Sequence, residues 1–240
     1  MKIKTPVIAA ALWLAAACNP MELGSPKYRV TVEGTLNDVA TAQSTHDAWA
    51  NAQDPMLPHH LTFAGLLSPA SGTVDPAGFI AIDTWDDEAA MNAFYASQST
   101  KDLLGDLLAP GYSVLKWQHP ADFEEWGGVD LTAVQRNPVF LFRIRGRYKA
   151  ADLDETRKTH NRVAGGESEF LALSLSDVTH AVNAGMTDPH EALFIDFWQD
   201  PQRAGQFFTS DATISGGLEV FASPGPQPEI FLPARPWAQW

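Results

Sequence analysis

The sequence predicts an α+β protein: two tandem β-α-β-β-α-β units packed sheet to sheet as one intrachain α/β barrel. Three observations lead there. Residues 82–97 and 195–210 share Ile, Asp, Trp, Asp, Phe and Ser at matching positions, with one constant offset and no gap. Each stretch falls at the same point in a run of alternating and helix-periodic segments. A sheet covered by helices on one face leaves the other bare, and a second such unit in the same chain can bury it.

The elements follow in order. Residues 28–34 alternate and read as a strand. Asn37 or Asp38 can cap a helix whose Val39, Ala42, His46 and Trp49 form one stripe. Pro55 and Pro58 end it. Strands are expected at 61–67 and 79–85, with a loop between. Asp86 is read as the cap of a helix carrying Met91, Phe94 and Tyr95, followed by a short helical turn and a strand at 111–117. The second copy starts with a strand at 139–146. Asp152 with Glu155 then opens a helix bearing Leu153, Thr156, His160 and Val163, which Gly165-Gly166 stops. A strand at 169–175, a loop to His190 and a strand at 192–198 follow. Asp200 and Pro201 serve as N-cap and N1 of a helix with Phe207 and Phe208 on its face, and 217–222 reads as the last strand.

The units therefore span 27–118 and 138–222, joined by a linker at 119–137, and each is ferredoxin-like. Five prolines between Pro224 and Pro236 exclude helix and central strand from the tail, 223–240, which is expected to run extended over the body. The run Trp85-Asp86-x-x-Ala89, between strand and helix in a unit of this length, resembles the antibiotic biosynthesis monooxygenase (ABM) group of the dimeric α/β-barrel superfamily. The likeness covers 27–118 and, less fully, 138–222. Phe94 and Phe207 stand where many members carry histidine. The resemblance implies cofactor-free oxidation of a small aromatic substrate, or haem binding and degradation.

The N-terminus gives an address. A cationic start at Lys2 and Lys4 precedes an apolar run too short to span a bilayer, closed by Leu14-Ala-Ala-Ala-Cys18. This is the layout of a secretory signal, and the cysteine at its end resembles the lipobox of bacterial lipoproteins. Residues 1–17 are then a signal peptide, Cys18 the lipidated first residue that anchors the chain to the membrane, and 18–26 a tether. Asn19 after it implies sorting to the outer membrane of the cell envelope. Cys18 is the sole cysteine, so no disulfide forms within the chain. A net charge of −13 repels phosphate backbones and argues against nucleic acid.

Alternation sorts the strands. The fully apolar sets, such as Ile80 with Ile82 and Ile195 with Phe197, are assigned to the helix-covered side. The polar sets, Arg29, Glu33, Asp83, Trp85, Arg143, Arg145, Asp196 and Trp198, are then expected between the sheets. Two readings follow: structural pairing, with Arg143 or Arg145 on Asp196 and Arg29 on Asp83, or a pocket for a small aromatic or apolar ligand. His46 and His160 hold the same place in the two copies and are the candidate general bases. His59-His60 is expected to be exposed, and His180 and His190 to lie in or beside a loop. No metal-ligand spacing recurs among the histidines, and haem enters only through the resemblance. The motifs of nucleotide enzymes, zinc proteases and α/β-hydrolases are absent from the sequence. Three functions stand together: a cofactor-independent oxygenase, a non-catalytic binding or structural lipoprotein, and a haem-binding protein.

Overall fold

A computed structural model describes residues 27–52, 59–68, 70–120, 122–124, 140–164, 177–234 and 236–239. The expected leader and tether, the predicted strand at 169–175 and most of the expected linker lie outside them. The chain runs β1 (Tyr28–Thr35), α1 (Ala42–Ala52), β2 (His59–Leu67), β3 (Val74–Trp85), α2 (Glu88–Ala96), α3 (Gln98–Leu107) and β4 (Ser113–Gln118). It continues β5 (Phe140–Arg147), α4 (Leu153–Ala164), β6 (Asp177–Gly185), β7 (Glu191–Trp198), α5 (Pro201–Phe208), α6 (Asp211–Val220) and β8 (Gln227–Pro233). The strands close an antiparallel barrel in the order β1-β3-β2-β8-β5-β7-β6-β4. Corresponding registers recur in the two halves: Tyr28 faces Trp85, and Phe140 faces Trp198.

Both halves contribute to one apolar core inside the barrel. Leu61, Phe63, Ile80, Ile82, Leu141, Leu193, Ile195, Phe197 and Phe231 meet there with Trp117, and Phe63 stacks on Phe197 at 5.7 Å. Outside the barrel, Val30, Val32, Phe79 and Trp85 pack under helix residues Met91, Phe94, Leu103 and Leu104. In the second half Phe142 and Trp198 pack under Ala204 and Phe207, and Ile144 and Phe194 under Val220 and Phe221.

This reverses the expected faces of β3 and β7. Ile80, Ile82, Ile195 and Phe197 point inward, and Asp83, Trp85, Asp196 and Trp198 lie beneath the helices. Both faces of these strands are buried, so apolar character does not say which face meets the helices. β1 and β5 do follow the expected sorting, with Arg29, Thr31, Arg143 and Arg145 facing in.

Four further expectations are corrected. Residues 217–220 finish α6: the Ser210 side chain caps it by accepting from the Thr213 N–H, and its buried Val220 holds the last turn against the sheet. The eighth strand comes instead from the proline-rich tail. Pro228 and Pro233 stand near the ends of β8, and between them Glu229, Ile230 and Phe231 pair with β5, the last two also with β2. The expected loop before His190 contains β6, which pairs with β7 along its length. Asp87, one residue beyond Asp86, caps α2.

Candidate functional site

In the first half a continuous polar chain lies between the sheet and its helices. Leu61 and Phe63 point into the barrel, so His60 alternates onto the outer face, opposite Asp83 in the ladder. His60 Nδ1 lies 2.5 Å from Asp83 Oδ1, and Tyr95 of α2 donates its hydroxyl to Asp83 Oδ2. His60 Nε2 is 2.8 Å from His46 Nε2, and His46 Nδ1 is 2.9 Å from Asp47 Oδ1. Asp47 also accepts the Ala238 N–H at 2.7 Å. Trp49 and Trp237 pack around the His46 ring.

Burial, and next the neighbouring His60, lower the His46 pKa to about 4. Burial, and next the neighbouring Asp83, push Tyr95 far above its ordinary value. Burial works against the Asp47 carboxylate, yet the Ala238 N–H, His46 and Gln43 outweigh it and hold Asp47 below the usual range. The sequence reading picked His46 and Asp83 but took His60 for exposed and passed over Tyr95 and Asp47. The signal that finds His60 is the alternation of Leu61 and Phe63 into the barrel.

The second half repeats the frame with different packing. The ladder sets Asp196 against His180 as it sets Asp83 against His60. His160 takes the place of His46, and Asn161 that of Asp47. Trp49 has Val163 as its counterpart. Counted from the caps Ser97 and Ser210, Leu103 and Leu104 correspond to Gly216 and Gly217. The side-chain volume lost by these exchanges is a cavity of about 250 Å³ between β5, β7 and helices α4 to α6. Its walls are apolar, with Val163, Phe194, Phe207, Phe208, Ile214 and Phe221, and its polar lining includes His160 and Asp196.

The tautomer of His160 is set by its neighbour. Asn161 donates Nδ2–H to the Asp122 carbonyl at 2.9 Å and accepts the Glu124 N–H on Oδ1 at 3.0 Å. Its Oδ1 therefore faces His160 Nδ1 at 2.9 Å as an acceptor. His160 therefore carries a proton on Nδ1. Phe123 and Phe194 flank the ring at 5.2 and 5.4 Å.

The inward-facing arginines find partners other than those expected, because Asp83 and Asp196 lie on the opposite face. Arg29 donates to Asn183 Oδ1 at 2.5 Å. Arg143 pairs with Glu229 and, at 3.4 Å, with Glu33. Arg145 lies 3.7 Å from Glu33 and 5.6 Å over the Trp117 ring. Arg143 and Arg145 border a solvent cleft of about 320 Å³. Trp85 and Trp198 are packed core, 2% and 0% exposed, and neither is among the described residues lining the cavity.

Among the described residues no group of three His, Cys, Asp or Glu is placed to hold a metal ion. The cavity does not suit haem. An engineered cavity of about 150 Å³ holds one benzene, so about 250 Å³ takes two or three fused rings, and a tetrapyrrole is far larger. His160, the one histidine described in its lining, is fully buried and wedged between two phenylalanines.

No protein-family model matches the sequence, and no curated protein matches it. Solved structures do resemble the fold. An anthrone oxidase-like protein aligns with TM-score 0.59 and 12% identity over 88% of this chain and 92% of that one. An inferred monooxygenase from Fusobacterium nucleatum subsp. nucleatum ATCC 25586 gives 0.57 and 10% over 87% and 93%. Another from Lactobacillus acidophilus NCFM gives 0.54 and 11% over 87% and 94%. At these identities the likeness is one of fold: a mixed α+β chain closed into an eight-stranded antiparallel barrel.

Proposed function

We propose that the second half of the barrel binds a two- or three-ring aromatic molecule and oxygenates it without an organic cofactor. The observation that carries this reading is the cavity, with aromatic walls around His160 and Asp196. That is the makeup of a site that buries an apolar body and orients it through a few polar groups. The fold's likeness to an anthrone oxidase-like protein and to inferred monooxygenases supports the reaction class. A CH₂ flanked by aryl groups and made acidic by a ring carbonyl gives its proton to His160 Nε2, while Asp196 accepts a hydrogen bond from a ligand hydroxyl. The resulting carbanion passes one electron to O₂, and the radical pair combines to a peroxide anion. His160 returns its proton to that anion and water leaves, so CH₂ + O₂ becomes C=O + H₂O.

Calorimetry with 1-naphthol and anthrone, with an oxygen electrode and product analysis, tests it. Binding with equimolar O₂ uptake and ketone formation is expected, and uptake is lost in His160→Gln. Binding without uptake assigns the chain to the non-catalytic ligand-binding class, and no binding overturns the pocket reading.

The architecture is read as two fused ferredoxin-like units, supported by the strand orders β4-β1-β3-β2 and β8-β5-β7-β6 and the recurring registers. The chain is read as a cell-envelope lipoprotein anchored in the outer membrane through Cys18, supported by the leader sequence.

A further inference from the structure

We infer that Tyr95 is a redox-active tyrosine, whose proton leaves along the Asp83–His60–His46–Asp47 chain while its electron leaves along a path of aromatic rings. The inference concerns the first half and stands apart from the pocket reading.

The proton side follows from valence. Five groups make four contacts in series: Tyr95 with Asp83, Asp83 with His60, His60 with His46, and His46 with Asp47. One proton per contact satisfies all four. With every proton on the Tyr95 side, Asp83 is a carboxylic acid, His60 holds Nε2–H and His46 holds Nδ1–H. Both imidazoles are neutral, and Asp47 is the carboxylate. Moving each proton across its contact leaves both imidazoles neutral and delivers a proton to Asp47, whose side chain is 23% exposed. No charge is stranded on the buried histidines, where an ion is costly. The lowered His46 pKa agrees with a ring that stays neutral in both arrangements.

The electron side is a chain of rings. Tyr95 contacts Trp85 at 6.3 Å and Phe94 at 5.1 Å, and Phe94 contacts Trp49 at 5.7 Å. Trp49 meets His46 at 6.4 Å, and His46 meets Trp237 at 5.2 Å. Trp237 belongs to the partly buried C-terminal segment whose Ala238 N–H also holds Asp47. Electron and proton routes therefore end side by side. A structural hydrogen bond alone would need no second exit.

The chemistry balances with a one-electron oxidant of the peroxyl-radical class. Tyr95–OH gives one electron through the rings, and its proton goes to Asp83. The shifted chain releases one proton from Asp47 to water, and ROO• plus that electron and proton becomes ROOH. The product on the protein is a neutral tyrosyl radical. Such a residue draws oxidising equivalents away from a bound ligand and from the core.

The test uses the full chain in detergent micelles, oxidised by photogenerated tris(bipyridine)ruthenium(III) and frozen for electron paramagnetic resonance. A tyrosyl signal is expected that is lost in Tyr95→Phe and retained in Tyr28→Phe. Phe208 fills the corresponding place in the second half, so phenylalanine suits the fold there. Asp83→Asn, with wild-type near-ultraviolet circular dichroism, is expected to shorten the radical's lifetime at least tenfold. If that variant does not fold, decay of the wild-type radical in D₂O replaces it, with severalfold slowing expected. No tyrosyl signal, or one undiminished in Tyr95→Phe, overturns the inference, as does a lifetime unchanged by Asp83→Asn or by D₂O.

Discussion

Filling the cavity should stabilise the protein and abolish its binding at once. Gly217 lies within α6 and lines the cavity, and a Cβ added there meets Pro226 Cγ at 3.7 Å, an ordinary contact. Leucine at this position copies Leu104 of the first half. Replacing a helix-interior glycine contributes about 1 kcal/mol. Burying the leucine side chain contributes about 1.5–3 kcal/mol, offset by about 0.5–1 kcal/mol of side-chain entropy. Gly217→Leu should therefore gain about 2–3 kcal/mol. At roughly 2–4 °C per kcal/mol for a chain of this size, the melting temperature rises by several degrees. The same side chain occupies space a ligand ring needs, so 1-naphthol affinity should fall at least tenfold, equivalent to about 1.4 kcal/mol. Calorimetry measures the binding, and urea unfolding the stability. A variant that binds as tightly as wild type, or is less stable than wild type, refutes the reasoning.

Other outcomes follow from the same contacts. Trp85→Ala, which empties a core site beside Met91 and Phe94, should cost about 3–5 kcal/mol in urea unfolding; a loss under 1 kcal/mol would contradict its packing. The unfolded chain protonates His46 near pH 6.5 and the folded chain only near 4. Its contribution is thus complete above pH 6.5 and is lost as pH falls from 6.5 to 4, by about 3 kcal/mol. His46→Gln should flatten that limb of the stability profile, and an unchanged slope would exclude His46 as its source. Labelling cells with a palmitate analogue should tag the wild-type chain and not Cys18→Ser; equal tagging ends the lipoprotein reading.

Much of the fold was legible in the sequence because the repeated strand–Trp–x–Asp–helix stretch marks the same structural step twice. The faces of β3 and β7 were not. Alternation separates residues into two sets, but a barrel strand under helices buries both sets, and Asp83 and Asp196 are tolerated on the outer one because hydrogen-bonding groups lie beside the sheet there. The last strand was misplaced for a local reason. Gly216 and Gly217 argue against helix, whereas the Ser210 cap and the packing of Val220 favour it, and tertiary packing wins. Proline argued against β8, but only its ends carry proline, and its middle supplies Ile230 and Phe231 to the packed layers on either side of the strand. The pocket could be read only by comparing copies: it is made by Val163 and two glycines standing where Trp49 and two leucines stand.

That comparison also separates the chemistry of the two halves. Asp47 and Asn161 occupy corresponding places, and each meets the Nδ1 of its histidine. A carboxylate can take the proton offered to it, so Asp47 can serve as the far end of a proton chain. An amide cannot. Asn161, with its orientation locked by Asp122 and Glu124, fixes the proton on His160 Nδ1. The packing points the same way. In the first half Trp49 packs against His46, and Leu103 and Leu104 are buried in the core between the sheet and its helices. In the second half the same space opens over His160. On the proposed duplication, one exchange of a carboxylic acid for an amide and three exchanges of large side chains for small ones separate the proton path proposed for the first half from the acid–base pocket proposed for the second.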